Sequence, residues 1–273
     1  MRVAFQGERG AYSEEAVAAL WEAADALPCA SLREVFDAVA SGRAERGVVP
    51  VENSQAGSIN ETYDLLLAHT LYITGEIDLR IRHCLLALPG QTLEMIRHVY
   101  SHPQALAQCE EFLRQHGLEA VPAYDTAGSA KMIAAKQMRE AAAIAGRGAA
   151  RIYGLQVLAE GIETNLSNYT KFLALAPVPA PRQADCKTSI VFTTPNVPGA
   201  LYRALGTFAT RAINLTKLES RPRREVPWEY LFYVDFEGHA EEPPVAAALL
   251  ELAGATVFLR VLGSYPKSSP PAS

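Results

Sequence analysis

Apolar and polar positions follow two periods along the first 177 residues, and the two periods take turns. Residues 2–6 and 46–51 show the short apolar runs of buried strands, whereas residues 13–23 place apolar side chains at helical spacing. A capping box, Ser31-Leu32-Arg33-Glu34, begins a second helix. This alternation predicts an α/β fold with mainly parallel sheets.

The alternation continues to residue 158. We predict helices over 60–69, 92–98, 103–115, 126–137 and 147–153, and strands within 71–88 and over 99–100, 118–123, 141–145 and 155–158. Ligands of such folds gather at the carboxyl ends of the strands, so polar clusters there are candidate binding residues.

The C-terminal part has a different order of elements after a Pro-rich linker at 178–186. The pattern predicts strands over 188–194, 215–221, 229–237 and 256–262, and helices over 198–213 and 243–253. The order βαββαβ is that of a ferredoxin-like α+β unit. We expect the polar tail at 266–273 to fray.

Composition narrows the class of protein. Of 273 residues, 49% are hydrophobic and 20% charged, as in globular enzymes. The net charge of −5 and the scattered arginines argue against a nucleic-acid partner. We find neither a membrane-length apolar run nor a signal peptide. Four cysteines without a CxxC pair fit reduced thiols, so we predict a cytoplasmic protein without a metal site.

Two polar clusters in the first half are candidates for ligand binding. The glycine-containing loop from Gln6 to Ser13 could direct backbone N–H groups and hydroxyls at an anion where a helix begins. Glu52-Asn53-Ser54 could hydrogen-bond a carboxylate and a hydroxyl. The alternatives are an ordinary strand-to-helix turn and a capped turn.

Two further clusters follow. Ser101-His102-Pro103-Gln104 begins a helix with Pro at its first position, and Gln108 shares a face with Gln104. Asn168-Tyr169-Thr170-Lys171-Phe172 offers a hydroxyl and a cation at the start of a strand. The alternatives are a simple helix cap with a surface His102, which alone is no metal ligand, and a solvated lysine.

One near-match to a cofactor motif carries no cofactor prediction. Gly146-Arg147-Gly148 approaches the dinucleotide fingerprint, but Arg151 replaces the third glycine, which close helix packing requires. The stretch is better interpreted as the start of a helix. We predict neither an organic cofactor nor a metal.

The order of these clusters resembles the prephenate dehydratase family followed by an ACT regulatory domain. Pro198-Gly199-Ala200-Leu201 with Glu219-Ser220-Arg221-Pro222 is similar to the family's phenylalanine-sensing signature. The resemblance implies a two-subdomain catalytic domain like type II periplasmic binding proteins over 1–177, with subdomains 1–76 plus 160–177 and 77–159. It also implies an ACT domain over 187–265.

The resemblance implies decarboxylative dehydration of prephenate to phenylpyruvate, with feedback by L-phenylalanine bound between subunits of a homodimer or homotetramer. It also implies a monofunctional enzyme. The implied catalytic residues are Thr170, Glu52, Asn53, Ser101 and Gln108, and the implied substrate-binding residues are Gln6, Ser13, Ser54, Thr126, Asn168, Lys171 and Phe172. The implied phenylalanine-binding residues are Asn196, Pro198, Gly199, Ala200, Leu201, Asn214, Glu219, Ser220, Arg221 and Pro222.

Within this resemblance, Thr170 matches the family's catalytic threonine and would assist the departing hydroxyl, with Glu52 as the titratable alternative. Lys171 stands where the family usually has Arg, which keeps the charge and loses a bidentate grip on a carboxylate. Two alternatives stay open: the same chemistry on arogenate, and a non-catalytic amino-acid-binding regulator.

Overall fold

Contacts divide the chain of the computed structural model, which describes residues 1–223, 226 and 228–268, into two units. The first unit contains Met1–His69 and Ile77–Leu173, and the second unit contains Thr70–Glu76 and Ala174–Ser268. The domain limits expected from the sequence differ from this division and stay a prediction.

The strands, in chain order, are β1 (Arg2–Gln6), β2 (Asp25–Cys29), β3 (Arg46–Asn53), β4 (Gly57–Ser58), β5 (Tyr72–Arg80), β6 (Cys84–Ala87), β7 (His98–Ser101), β8 (Glu119–Pro122), β9 (Ala141–Ala145), β10 (Gln156–Glu160), β11 (Tyr169–Ala176), β12 (Cys186–Thr193), β13 (Leu215–Pro222), β14 (Tyr230–Glu237) and β15 (Phe258–Pro266).

The helices are α1 (Tyr12–Leu20), α2 (Leu32–Ala40), α3 (Asn60–Ala68), α4 (Pro103–Gln108), α5 (Glu110–Gln115), α6 (Thr126–Lys136), α7 (Arg147–Tyr153), α8 (Ala200–Ala209) and α9 (Pro243–Ala255). The cap predicted before α2 is confirmed, because the Ser31 hydroxyl accepts from Glu34 N. The reciprocal bond differs from that of a standard capping box, since Glu34 Oε2 accepts from Ala30 N, one residue before the cap.

The first sheet has the strand order β2-β1-β3-β11-β5, with β4 paired to β3. Strand β1 runs parallel to both β2 and β3, as the alternation predicts. Its apolar residues Val3 and Phe5 are fully buried. The carboxyl end of β1 therefore delivers Gln6 and the following loop to one edge of the sheet.

The second sheet has the order β10-β6-β9-β7-β8 and is mixed. Strand β7 is parallel to β8 and β9, whereas β6 is antiparallel to β9 and β10. The prediction of mainly parallel pairing is wrong for this sheet. The cause is that β6 is buried at every position, and a uniformly apolar run does not reveal its direction.

The C-terminal sheet has the order β13-β14-β12-β15, with α8 and α9 joined to it in the predicted βαββαβ order. Phe192, Phe208 and Phe236 are fully buried in its core. The α/β and ferredoxin-like predictions are confirmed. Strand β15 continues past the predicted end at 262, because Tyr265 is fully buried. The predicted tail lies mostly outside the described residues, at 269–273.

Residues 70–76 group with the C-terminal sheet for a steric reason. Gly263 in β15 approaches the backbone of Ile73 so closely that a Cβ at Gly263 would lie 2.1 Å from the Ile73 carbonyl oxygen. No residue with a side chain fits there without moving the backbone. Glycine at this position therefore permits the close packing.

Two predictions of local structure fail. The helix predicted over 92–98 is only a 3-10 turn at Leu93–Met95, which buries none of its residues. Strand β2 was not predicted, since Pro28 interrupts its pattern. Proline is tolerated there because β2 is an edge strand.

Candidate active site

A cavity of about 250 Å³ lies in the first unit, where several of the predicted polar clusters meet. The residues lining it are Gln6, Ala11, Tyr12, Ser13, Asn53, Ile81, His83, His102, Gln104, Ala105, Gln108, Tyr124, Asp125, Thr126, Thr170 and Phe172.

The loop after β1 presents hydrogen-bond donors to this cavity. Gly10 has φ +85° and approaches α7 so closely that a Cβ would lie 2.7 Å from Ala149 Cα. The loop ends at Ala11, which has no side-chain group to cap α1. The N–H groups of Tyr12 and Ser13, at the start of α1, have no partner within the helix. Such a helix start suits a carboxylate in principle, so the anion-binding interpretation of the loop stays a prediction.

Thr170 and Asn53 form the hydrogen bond that matters most for chemistry. Asn53 Oδ1 accepts the backbone N–H groups of Gln55 at 3.1 Å and Ala56 at 3.0 Å. The amide of Asn53 is thereby oriented, and its Nδ2 donates to Thr170 Oγ1 at 3.0 Å. Because Nδ2 cannot accept, the Thr170 hydroxyl proton remains available for a ligand in the cavity.

The hydrogen bonds of Asn53 also fix the orientation of the Asn168 and Gln108 amides. We call the three side chains Asn53, Asn168 and Gln108 the amide relay. Asn53 Nδ2 also donates to Asn168 Oδ1 at 2.9 Å, so Asn168 Nδ2 donates to Gln108 Oε1 at 3.0 Å. Gln108 Oε1 must then accept from His83 Nε2, which lies 2.8 Å away. We assign the His83 proton to Nε2 on this basis.

His83 is buried, and desolvation lowers the pKa of its imidazole, opposed by the Gln108 hydrogen bond and the nearby Glu163 carboxylate. The ring is therefore neutral near pH 7. With the ring proton on Nε2, Nδ1 can only accept, so the single proton of the Tyr12 hydroxyl is shared between Nδ1 and the Arg82 carbonyl, each 2.9 Å from the hydroxyl oxygen. The amide relay thus ends on a neutral histidine and a tyrosine that both line the cavity.

Two predicted site residues, Ser101 and Ser54, hydrogen-bond backbone groups near the cavity and do not line it. Ser101 is fully buried, and its hydroxyl donates to the Ile144 carbonyl at 2.6 Å. Ser54 Oγ donates to the Ser167 carbonyl and accepts from Tyr169 N, which ties the end of β3 to the start of β11. Neither hydroxyl lines the cavity.

Lys171 and Glu52 are not brought to the cavity either. Side chains alternate along a strand, so Thr170 and Phe172 on one face of β11 place Lys171 on the other. Its Nζ lies 3.1 Å from Asp78 Oδ1. The same alternation separates Glu52 from its neighbour Asn53. The expectation that Lys171 holds a substrate carboxylate stays a prediction.

Sequence reasoning missed several lining residues. His83 lies in no recognisable motif, since it is in the short connection between β5 and β6. Tyr12 lies within the predicted loop from Gln6 to Ser13 but was not singled out there. Asp125 could have been found, because it precedes α6 as a helix cap and its Oδ1 accepts from Gly128 N at 2.7 Å. Burial raises the pKa of Asp125, and nearby Glu8 raises it further, against the hydrogen bonds of the cap.

A second cavity, of about 300 Å³, lies in the second unit. It is lined by Thr194, Pro195, Asn196, Val197, Gly199, Ala200, Leu201, Tyr202, Trp228, Glu229, Tyr230 and Phe232. The predicted phenylalanine-binding residues Asn196, Gly199, Ala200 and Leu201 meet there, whereas Pro198, Asn214 and the 219–222 stretch do not line it.

Within the described ranges, no helix has the length and apolar character needed to cross a membrane. The same ranges contain no cluster of three histidine, cysteine or acidic side chains arranged to hold a metal ion. The four cysteines are buried and free of disulfides.

Comparison with known proteins gives two family matches. The prephenate dehydratase model matches residues 3–179, and the ACT domain model matches residues 188–254. Arogenate dehydratase/prephenate dehydratase 2, chloroplastic, of Arabidopsis thaliana is 48% identical over 277 residues, covering 97% of this chain and 73% of the relative. Arogenate dehydratase 2 of Petunia hybrida is 47% identical over 285 residues, covering 98% and 72%.

Two solved structures resemble the whole chain. One, described as a novel type of quorum quenching acylase, has a TM-score of 0.91 at 38% identity and covers 99% of each chain. The other, a prephenate dehydratase from Arthrobacter aurescens in complex with L-Phe, has a TM-score of 0.88 at 33% identity and covers 97% of this chain and 90% of that chain.

Proposed function

Because the chain belongs to the prephenate dehydratase family and carries an ACT domain, it is a dehydratase, a hydro-lyase of aromatic amino-acid biosynthesis, and we propose that it converts prephenate to phenylpyruvate, water and CO₂. We propose further that L-phenylalanine bound in the second unit inhibits the reaction. The observation that carries the catalytic proposal is the Thr170 hydroxyl, whose oxygen accepts from Asn53 and whose proton is free for the cavity.

The reaction needs one hydrogen-bond donor at the leaving hydroxyl. The bond from the ring to its carboxylate breaks as CO₂ leaves, and its electron pair forms a new double bond within the ring. The neighbouring ring double bond shifts toward the carbon opposite, where the C–O bond breaks with its own electron pair on oxygen. The departing hydroxide takes a proton from the solvent and becomes water. Thr170 supplies the hydrogen bond to this oxygen, since a threonine is too weak an acid to give its proton fully. No base is needed, because loss of CO₂ replaces deprotonation.

Different residues of the cavity bind the two carboxylates of the substrate. The side-chain carboxylate of the substrate is held by Ser13 and the free N–H groups of α1. Gln6 and Thr126 add further donors. The ring carboxylate faces the apolar side formed by Ile81 and Phe172, where poor solvation favours loss of its charge as CO₂.

The first experiment incubates the purified protein with prephenate at neutral pH and follows phenylpyruvate, with and without millimolar phenylalanine. Product that falls on addition of phenylalanine supports both parts of the proposal. Product insensitive to phenylalanine retains the enzyme and removes the regulation. If the protein forms product from neither prephenate nor arogenate, the dehydratase function of this site is contradicted.

The regulatory proposal is supported by the cavity of the second unit, where apolar and aromatic side chains lie beside the start of α8. Gly199 precedes α8 with φ +77°, so the amino-acid backbone of a ligand can approach this turn. The relative from A. aurescens was solved with L-Phe. Allosteric coupling of about 1–3 kcal/mol is typical of such feedback.

Two asparagine variants test the location of the regulatory site. Asn196→Ala removes a polar group lining the cavity, so the phenylalanine concentration for half inhibition should rise about two- to tenfold. Asn214→Ala is the matched control, because Asn214 was expected at the site from the sequence but does not line the cavity. Equal effects of both variants would place the ligand elsewhere.

We also propose that the protein forms a homodimer or homotetramer. Tyr202 and Trp228 border the cavity of the second unit and are both 82% exposed, and a second subunit covering them would remove that apolar surface from water. Light scattering on the full chain tests this. The cytoplasmic location stays a prediction, since the Arabidopsis relative is named as chloroplastic.

A second candidate, amide hydrolysis, is raised by the structural likeness to the quorum quenching acylase. Hydrolysis through a covalent intermediate needs a nucleophile activated by a base. His83 contacts Tyr12 and Gln108, and His102 Nδ1 accepts from Gln104 N, so neither ring contacts a Ser or Thr hydroxyl within the described part of the chain. The dehydratase therefore ranks first, and turnover of a chromogenic N-acyl amide would reverse the ranking.

A further inference from the structure

A third cavity, of about 480 Å³, lies in the first unit between α1 and α7 and takes no part in the proposed reaction. We propose that it binds a free α-amino acid with an apolar side chain, whose carboxylate pairs with Arg151 and whose ammonium pairs with Glu15. The inference depends neither on the dehydratase function nor on the phenylalanine site of the second unit.

This cavity has the size and the apolar surface of a small-molecule site. Its volume lies within the range of about 300–1,000 Å³ that ligand pockets occupy. Val17 and Trp21 near α1, and Ile152 in α7, contribute apolar side chains to its wall. Trp21 is partly exposed and Ile152 is 46% exposed, so a ligand can reach this surface. An apolar side chain bound there would remove part of it from water.

Most charged groups at the cavity already have partners. The lining residues that form ion pairs are Arg9 with Glu14, Arg147 with Glu160 and Asp25 with Arg2. Among the described residues that line the cavity, Arg151 is the one cation without an ion pair, and Glu15 and Glu22 are the acids without one. These three charges are therefore the candidates for pairing with a ligand.

Arg151 and Glu15 carry opposite charges on two helices that line the same cavity. They interact electrostatically, but neither forms a direct ion pair with the other or with another residue of the described ranges. The carboxylate and the ammonium of an α-amino acid are bonded to the same carbon. Two unlike charges that lie near each other without touching are therefore suited to bind both groups of one such molecule.

The surroundings of Glu15 favour the ammonium as its partner. Although the residue is partly open to solvent, desolvation raises the pKa of its carboxyl, and Arg151 opposes this rise only in part. The carboxylate therefore has too little positive charge near it. An ammonium bound beside Glu15 would supply that charge.

Arg151 belongs to the stretch that fails as a dinucleotide fingerprint. It stands where the fingerprint has its third glycine, after Gly146 and Gly148. A glycine there would allow close helix packing, whereas the arginine places a guanidinium at the cavity. A guanidinium binds a carboxylate through two parallel hydrogen bonds, which suits the carboxylate of an amino acid.

The alternative is that Arg151 and Glu15 are ordinary solvated charges on the two helices. Arg151→Gln and Glu15→Gln each remove one charge and keep most of the side chain. Both residues are exposed, so both variants should fold. Glu22→Gln is the matched control, because Glu22 lines the same cavity and also lacks an ion pair in the described part of the chain.

The two tryptophans of the chain allow this cavity to be measured separately from that of the second unit. Trp21 lines the former and Trp228 lines the latter. In full-length protein carrying Trp228→Phe, any change in tryptophan fluorescence on adding L-leucine or L-phenylalanine comes from Trp21. We expect a saturable change that gives a Kd.

The charge variants should weaken this binding. Arg151→Gln and Glu15→Gln, each made in the Trp228→Phe protein, should raise the Kd about tenfold, as expected for the loss of a charged hydrogen bond. Glu22→Gln should leave it within about twofold. Isocaproate and isopentylamine, which each lack one charged group of leucine, should bind about tenfold more weakly than L-leucine.

Three results would overturn the proposal. If neither amino acid changes Trp21 fluorescence in a saturable way, the cavity is not an amino-acid site. If Glu15→Gln and Glu22→Gln weaken binding equally, the ammonium is not held by Glu15. If isocaproate binds as tightly as L-leucine, the site does not select a zwitterion. None of these measurements uses turnover, so they leave the proposed reaction untouched.

Discussion

The two units satisfy their buried polar side chains differently, the first with neutral hydrogen bonds and the second with ion pairs. The first unit uses the neutral amide relay, which runs from Asn53 through Asn168 and Gln108 to His83. The second unit uses an ionic cluster, which we define as Lys187, Glu76 and Asp235. Both lie largely out of contact with solvent, and the relay borders the cavity of the first unit.

The ionic cluster joins three strands. Lys187 Nζ in β12 lies 2.8 Å from Glu76 Oε2 in β5 and 3.1 Å from Asp235 Oδ2 in β14. Burial alone would lower the pKa of Lys187, but Asp235 and Glu76 outweigh it, so the pKa lies above its ordinary value. The lysine therefore stays charged at any physiological pH.

The contrast teaches what each kind of network can specify. An amide has a donor end and an acceptor end, so a chain of amides transmits a direction and fixes where each proton lies. An ammonium has three equivalent donors and transmits no direction. The relay is suited to orienting a catalytic hydroxyl, and the ionic cluster is suited to holding strands together.

The largest effect should come from the hydroxyl that the relay orients. Thr170→Val keeps the shape of the side chain and removes the donor, so kcat should fall about 10²- to 10⁴-fold with KM little changed. Thr170→Ser restores the hydroxyl and should recover much of the rate. Steady-state kinetics measure both, with exposed Thr92→Val as the control. A loss below threefold would remove Thr170 from the chemistry.

The ionic cluster should reveal itself in stability instead. Lys187→Met leaves two buried carboxylates without their cation, so the free energy of unfolding of the second unit should fall by about 3–5 kcal/mol. Denaturant unfolding measures it. The control is Lys267→Met, the same change at the surface pair with Glu237, which should alter stability little. Similar losses in both variants would show that burial does not set the strength of the cluster.

Sequence reasoning found one of these networks in part and missed the other. The clusters containing Asn53, Gln108 and Thr170 were predicted, because polar residues at strand ends and helix starts have local signals. Glu76 and Lys187 are 111 positions apart, and no local pattern links them.

Which side of a strand faces the cavity was also beyond the sequence. Neighbouring residues of a strand point to opposite faces of the sheet, but a sequence motif contains both. Lys171 was therefore grouped with Thr170, and Glu52 with Asn53. Only the pairing of β11 and β3 within the sheet decides which member faces the cavity. The βαββαβ order was predictable because Pro, Gly and polar stretches such as 194–199 and 238–243 separate its strands and helices along the chain.

Reversing one amide should break the relay without removing it. Asn53→Asp keeps the bonds from Gln55 N and Ala56 N, because a carboxylate accepts them equally well. It no longer donates to Thr170, whose proton would turn to the new carboxylate and away from the cavity. We expect kcat to fall about tenfold to a hundredfold. Asn165→Asp, whose Oδ1 likewise accepts a backbone N–H, is the matched control. Unchanged kcat in Asn53→Asp would refute the assigned direction.

The smallest effect concerns the histidine at the end of the relay. Burial holds the pKa of His83 below its ordinary value of about 6.5. As pH falls through about 6.5, the unfolded chain binds a proton at His83 that the folded chain does not, so stability falls. The loss continues down to the folded pKa and then stops, with a slope of at most about 1.4 kcal/mol per pH unit.

The measurement is the free energy of unfolding of the first unit at several pH values between 7.5 and 5, in the wild type and in His83→Gln. The variant lacks the titrating ring, so its stability should depend less steeply on pH below about 6.5 and match the wild-type slope above it. His116→Gln, at an exposed histidine of the same unit, controls for removing one imidazole. If His83→Gln and the wild type keep the same slope, the ring is not held neutral by the fold. The ring would then gain its second proton near the ordinary histidine pKa of about 6.5, and only below that pH would the relay end on a cation, much as the ionic cluster is built around one.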